Sequence, residues 1–211
     1  MSLSHWALAL FFRLLYGPFA WAYDAVAWLV SFGEWRTWGE QALPFAQAGA
    51  VLELGHGPGH LQVAMARRGW PCVGVDPSPQ MGRLARHRLK RAGLPLRLVR
   101  ARGQALPFRK GVFSTVLAAF PTEFILDPQT VREVGRVLRP QGRVVIVAAA
   151  HLTGRDLPSR FLEWLYRVTG QREPLPRQDD PLWRAGGLRW ETRWVPTRRA
   201  QVMILVGQAP P

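Results

Sequence analysis

From residue 49 onward the chain alternates short, continuous apolar runs with amphipathic stretches, and this rhythm constrains the fold more than any other feature. Val51–Leu54, Cys72–Val75, Leu96–Val99, Phe113–Ala119 and the strongly β-branched Arg143–Ala149 read as strands. Leu61–Arg68, Gln80–Ala92 and Thr130–Leu138 read as the helices between them, the third stopping before Pro140. Strands that are apolar on both faces must be covered on both. The pattern therefore predicts an α/β, doubly wound, mostly parallel sheet with helices on either side. Pro158–Val168 reads as one more helix, and 170–187, rich in Pro, Gly and charge, as a loop. Leu188–Val195 and Gln201–Val206 read as a closing hairpin.

The sharpest local signal is Val51-Leu52-Glu53-Leu54-Gly55-His56-Gly57-Pro58-Gly59-His60. A buried strand runs into Gly-x-Gly-x-Gly, and a helix follows. Glycines there permit a tight turn and let a ligand approach the backbone. The helix start adds free N–H groups and a positive dipole end. A dinucleotide fingerprint would carry Gly where His60 stands. A second element, Val73-Gly74-Val75-Asp76, is a strand ending in an acid 21 residues after Gly55. An acid at that tip can accept hydrogen bonds from the ribose hydroxyls of an adenosine ligand.

These residues resemble a family. Residues 50–149 are similar to class I S-adenosylmethionine-dependent methyltransferases. Glu53-Leu54-Gly55-His56-Gly57-Pro58-Gly59 matches the first motif, and Val75-Asp76-Pro77-Ser78-Pro79-Gln80-Met81 the second-strand signature. Gln104-Ala105-Leu106-Pro107-Phe108 matches the loop after the third strand. Arg136-Val137-Leu138-Arg139-Pro140-Gln141-Gly142-Arg143 matches the turn into the fifth. The resemblance implies a Rossmann-like sheet of seven strands with an antiparallel last strand, and S-adenosylmethionine as cofactor. It assigns Gly55, His56, Gly57 and Gly59 to the cofactor's methionine part, with Glu53 supporting that loop. Asp76 takes the ribose, Pro77, Met81 or Ser78 lie near the adenine, and Gln104 and Ala105 border it. Two departures stand out. The usual Gly-Asp-Ala before Leu-Pro-Phe is Ala101-Arg102-Gly103 here, and the usual Phe-Asp is Phe113-Ser114. Arg has donors only and cannot accept the adenine amino group's bond, so altered or weaker adenine recognition is expected, with the Gln104 oxygen or the backbone as substitute acceptor.

The N-terminal part carries a further resemblance. Phe19-Ala20-Trp21-Ala22-Tyr23-Asp24 and Ser31-Phe32-Gly33-Glu34-Trp35-Arg36-Thr37-Trp38 look like the region before the glycine loop in ubiquinone/menaquinone C-methyltransferases. That implies an acceptor site under an N-terminal lid, with Tyr23 near it, and a greasy quinol acceptor. The Arg-Asn pair of that family after the fourth strand is replaced by Glu123-Phe124. Glu123 is a candidate general base, a candidate ligand for a cationic head group, or a cap for the next turn. His56, His60 and His151 are candidate proton acceptors, each without a visible partner in the sequence. The expected organisation is a helical lid over 1–48, with helices at 3–16 and 19–31 joined at Gly17-Pro18, and a cofactor-binding domain over 49–211.

Charge and aromatic residues are distributed unevenly. The 211 residues carry a formal net charge of +14. Residues 67–110 hold twelve Arg or Lys against the single acid Asp76, whereas 1–63 hold two basic and four acidic residues. Five of the ten Trp fall in the first 38 residues. Arg83, Arg86, His87 and Lys90 share the outer side of the helix at 80–92. Three readings of that basic face follow: a solvated surface, attraction to anionic lipid, or phosphate binding of nucleic acid. The absence of an appended RNA-binding module and of an Asn-Pro-Pro-Tyr-type motif makes nucleic acid the weaker one. The leading expectation is methyl transfer to a small hydrophobic or lipid-like acceptor by a cytoplasmic, membrane-peripheral enzyme. The alternatives are an RNA methyltransferase and a non-catalytic cofactor-binding relic. One Cys, Cys72, excludes an internal disulfide and a Cys-rich zinc site, and no metal is expected. The N-terminal apolar run fits neither a signal peptide nor a membrane span, because Arg13, Gly17-Pro18 and Asp24 interrupt it.

Overall fold

The computed structural model describes residues 23–153 and 187–211, except for the side chains of Tyr23 and Val30. The helices expected at 3–16 and 158–168 lie outside the described residues. Helix α1 (Tyr23–Ser31) is the described part of the helix expected at 19–31. Helix α2 (Trp35–Glu40) was not legible in the pattern. The Ser31 hydroxyl donates to Ala27 O and accepts from Trp35 N, joining the end of α1 to the start of α2. Trp38 is then 1% exposed, and its indole N–H donates to Glu34 at 3.1 Å.

The sheet follows as β1 (Val51–Leu54), α3 (His60–Arg67), β2 (Cys72–Val75), α4 (Pro79–Arg91), β3 (Leu98–Val99), β4 (Phe113–Ala119), α5 (Pro128–Val137), β5 (Leu138–Leu152), β6 (Arg189–Pro196) and β7 (Ala200–Gln208). The strand order is β3-β2-β1-β4-β5-β7-β6. The pairs among β1 to β5 are parallel, and β7 runs antiparallel to both β5 and β6. This is the expected seven-stranded arrangement with its closing hairpin.

Two boundaries moved for identifiable reasons. The third strand is cut to Leu98–Val99 because only these two residues pair with β2. The fifth starts at Leu138, not Arg143, because Leu138 pairs with Phe113 before a register shift brings Arg143 beside Thr115. Successive residues of each central strand feed opposite faces. Val51, Leu117, Val145 and Val147 join Trp38, Leu61, Met65 and Ile204 in one core. Leu52, Leu54, Val116 and Ile146 join Val134, Val137 and Leu205 in the other. Both layers being apolar is what erased strand alternation from the sequence.

The helix starts are locally encoded. Ser78 accepts from Met81 N and Asp127 accepts from Gln129 N, each followed by a first-turn Pro, as N-caps should. Helix α3 follows Gly59, which offers no side-chain cap. The strand order therefore reverses beside β1 at an uncapped helix start, the place where such sheets hold ligands.

Candidate active site

The carboxyl ends of β1, β2 and β4 meet around the glycine loop. Gly55 and His56 both donate their backbone N–H to Val75 O, so the loop folds back over the tip of β2. Gly57 N donates to Asp76 Oδ2 at 2.9 Å, and Ser78 N donates to Asp76 Oδ1 at 2.8 Å. Each Asp76 oxygen keeps a further lone pair for a hydroxyl donor. The glycines differ in what they allow. Gly59, at φ +84°, touches α4 so closely that a Cβ would lie 2.8 Å from Ala85 Cβ. At Gly57, φ +51°, a Cβ would meet nothing within 4 Å.

A cleft opens beside this loop. Glu53, Gly55, His56, Gly57, Pro58, His60 and Leu61 line one side, and Trp35, Arg36, Gly39, Glu40, Ala119 and Phe120 the other. Phe120 holds a left-handed backbone, φ 49°, at the end of β4. Its ring stacks on Trp35 with centroids 4.2 Å apart and meets Trp38 edge-on. A bulky residue in that region of backbone space is strained, and such strain concentrates at ligand sites.

The titrating groups of the cleft are shifted by their surroundings. Burial pushes the Glu53 carboxyl up to about 8, although Gln62 donates to it at 2.7 Å; nearby Asp76 adds to the rise. Burial also holds His56 below the ordinary histidine range, with its Nδ1 2.7 Å from Gly57 O. His60 is lowered chiefly by burial, and its Nε2 lies 2.7 Å from Asp24 Oδ1. Asp24 is lowered by that hydrogen bond first. Its other oxygen accepts from Arg88 Nη2, while Arg88 Nη1 donates to Pro58 O. Helices α1 and α4 are thus tied to the glycine loop through one carboxylate.

The structure brings Glu53, Gly55, His56, Gly57, Gly59 and Asp76 together around the loop. Met81 is fully buried in the first turn of α4, and Pro77 is exposed beside Asp76. After β3, Arg102 is exposed and Ala105 N is spent on Arg102 O. The Gln104 amide N–H donates to Asp127 at 3.0 Å, so its oxygen points away from that carboxylate. Ser114, standing where an acid is usual, donates to Ala50 O and is buried in the strand layer. Glu123 is exposed at the head of a 3-10 turn and is not among the cleft residues, whereas Phe124 closes over Gly55. The side chain of Tyr23 lies outside the described ones. His151 makes a ring contact with Trp194. Sequence reasoning missed Asp24 and Arg88 as site residues. Asp24 was the only acid before Glu34 and stood within a quoted motif, which was the available signal.

The residues present fit an adenosyl sulfonium ligand. The open space over Gly57 would be filled by any Cβ, Asp76 offers acceptors to a ribose, and Glu53 is a buried acid that a nearby cation would ionise.

Comparisons with known proteins agree. A family model described as a methyltransferase domain (Methyltransf_25) matches residues 51–142. A demethylmenaquinone methyltransferase of Thermus thermophilus is 34% identical over 156 residues, covering 71% of this chain and 69% of that protein. A ubiquinone/menaquinone biosynthesis C-methyltransferase of Geotalea uraniireducens is 30% identical over 134 residues, 59% of this chain and 57% of that one. Among solved structures, an S-adenosylmethionine-dependent methyltransferase from Thermotoga maritima aligns with a TM-score of 0.62 at 17% identity, covering 93% of this chain and 98% of that one. The YcgJ protein of Bacillus subtilis gives 0.63 at 17% identity, covering 83% and 99%. The two structural likenesses carry the fold, and the sequence relatives carry the family. The chain belongs to the class I S-adenosylmethionine-dependent methyltransferases, in the pattern of their ubiquinone/menaquinone C-methyltransferase group, and is an enzyme that uses that cofactor.

Proposed function

We propose that the enzyme methylates a hydrophobic quinol-type acceptor held between the glycine loop and the aromatic wall of Trp35 and Phe120. One observation carries this reading: a single cleft runs from Gly57 and Glu53 to that stacked pair. When bound, S-adenosylmethionine supplies a methyl already activated on a sulfonium. Much of the rate can then come from holding the acceptor in line with it. In this reading Gly55, His56, Gly57 and Gly59 shape the methionine pocket and Glu53 supplies a carboxylate beneath it. Asp76 orients the ribose, and Pro77, Met81, Gln104 and Ala105 border the adenine side. Residues 1–48 act as the lid segment and 49–211 as the cofactor-binding domain. Demethylmenaquinone methyltransferases are the relatives that suggest the acceptor.

A peripheral seat on an anionic membrane belongs to the same reading. Trp28 and Leu29 of α1 are each 64% exposed. The Asp24–Arg88 contact sets α1 beside α4, whose Arg83, Arg86, His87 and Lys90 are exposed. Among the described residues no helix is long and apolar enough to cross a membrane. Labelled S-adenosylmethionine incubated with a total lipid extract tests the acceptor class. Label in the quinone fraction is expected, and label confined to aqueous products contradicts it.

A further inference from the structure

We propose that His60, oriented by Asp24, is the general base that takes the acceptor's hydroxyl proton. The inference rests on the quinol reading of the cleft and adds a group to it. His60 stands at the first position of α3, immediately after the glycine loop, and lines the cleft. Its Nε2 is occupied by Asp24 Oδ1 at 2.7 Å. A carboxylate only accepts, so a neutral imidazole here must carry its proton on Nε2, and Nδ1 must hold the lone pair. Nδ1 makes no hydrogen bond among the described residues. It is also not sealed away, because the only buried side-chain nitrogen or oxygen without a partner among them is Thr130 Oγ1. A lone pair fixed by its partner and not sealed from solvent, on a residue that lines the cleft, is the arrangement a base requires.

The surrounding charges suit the task. Arg88 and Arg36 face the ring from α4 and α2, and Asp24 from α1. The two guanidiniums and burial keep the imidazole neutral near pH 7, and Asp24 stabilises the imidazolium once it forms. The proton balance is simple. The acceptor O–H bond breaks and its proton binds His60 Nδ1. The resulting oxyanion drives electron density into the ring, and a ring carbon forms the new bond to the methyl. The methyl–sulfur bond breaks with its electron pair left on sulfur, giving a neutral thioether. Loss of the ring proton restores aromaticity as the oxygen regains one. One proton per methyl leaves through His60 to solvent.

Arg88 makes Asp24→Asn a pointed variant. Arg88 only donates, so an Asn at 24 would turn its oxygen to Arg88 and its amide N–H to His60 Nε2. That forces the ring proton onto Nδ1 and blocks the base without removing it.

The test uses the full-length enzyme with a short-chain demethylnaphthoquinol. His60→Gln and Asp24→Asn are expected to lose about 10²–10³-fold in kcat, with S-adenosylmethionine affinity by calorimetry within about threefold of wild type. The wild-type rate should rise with pH as His60 deprotonates and then level, and the variants should lack that limb. Histidine ¹⁵N spectra of the wild type should show the proton on Nε2, and added 1-naphthol should shift the Nδ1 signal. Asp24→Asn should move the proton to Nδ1. Full kcat in folded His60→Gln, or a wild-type ring protonated on Nδ1 and indifferent to naphthol, overturns the proposal. No turnover of the naphthoquinol by wild type, with the Nδ1 response present, overturns the acceptor reading and leaves the base standing.

Discussion

Glu53, Gly57 and Gly59 can each be tested as a single residue. The Glu53 carboxyl is raised by burial to about 8 in the folded chain, against an unfolded value near 4.3. Between these two values the native state binds more protons than the unfolded one. Stability must therefore fall as pH rises through that window, with a slope approaching ~1.4 kcal/mol per pH unit near its middle. Glu53→Gln keeps an acceptor for Gln62 and should flatten that slope, as read by urea denaturation from pH 5 to 9. A bound sulfonium favours the ionised carboxylate, so cofactor binding at pH 7 should release a proton. Calorimetry in buffers of different ionisation heat measures it. At Gly59 a Cβ would press on Ala85 at a left-handed φ, so Gly59→Ala should cost about 3 kcal/mol of stability. At Gly57 a Cβ meets open space, so Gly57→Ala should cost only about 1 kcal/mol of stability. If the cofactor takes the open space over Gly57 as proposed, the same change should weaken S-adenosylmethionine roughly tenfold or more, ~1.4 kcal/mol. Thermal melts and calorimetric titration of both variants separate the two roles.

Elements show why parts of the fold were legible and parts were not. The central strands β1, β2 and β4 were readable to the residue, because glycines, Pro71 and Asp76 bound short apolar runs. Helices α4 and α5 carry their own caps and a basic or polar outer face. Helix α2 carries neither: six residues with Gly39 inside and two Trp, held by Ser31, Glu34 and the Phe120 stack. Its helicity comes from tertiary packing, which periodicity does not register. The Asp24–His60 pair spans 36 residues and joins two elements, so no local pattern could show it. The composition of α1 and α4 yields an expectation at this scale. Vesicles containing phosphatidylglycerol should retain the protein more strongly than neutral vesicles, with loss at high salt. Trp28→Ser with Leu29→Ser should reduce retention at low salt as well. Co-sedimentation that is independent of lipid charge and of these two side chains contradicts the membrane seat.

Across the whole molecule, the order of strands and the glycine loop were readable because parallel βαβ units repeat the same physical demand along the chain. The cleft's chemistry was readable only in part. The sequence marks where Gly57, Glu53 and Asp76 stand, but the aromatic wall arises where α2 folds onto the end of β4, far away in sequence. The basic excess now divides in function. Arg88 faces inward and joins α1 to the glycine loop, while Arg83, Arg86 and Lys90 are exposed.

The most direct test of the central claim is transfer of a ¹³C-methyl from S-adenosylmethionine to a purified short-chain demethylmenaquinol, followed by carbon NMR of the product. The account predicts one methyl on a ring carbon, formed in step with one equivalent of S-adenosylhomocysteine. Tight cofactor binding with no label in the quinol, or label appearing in RNA supplied at equal mass, would contradict it.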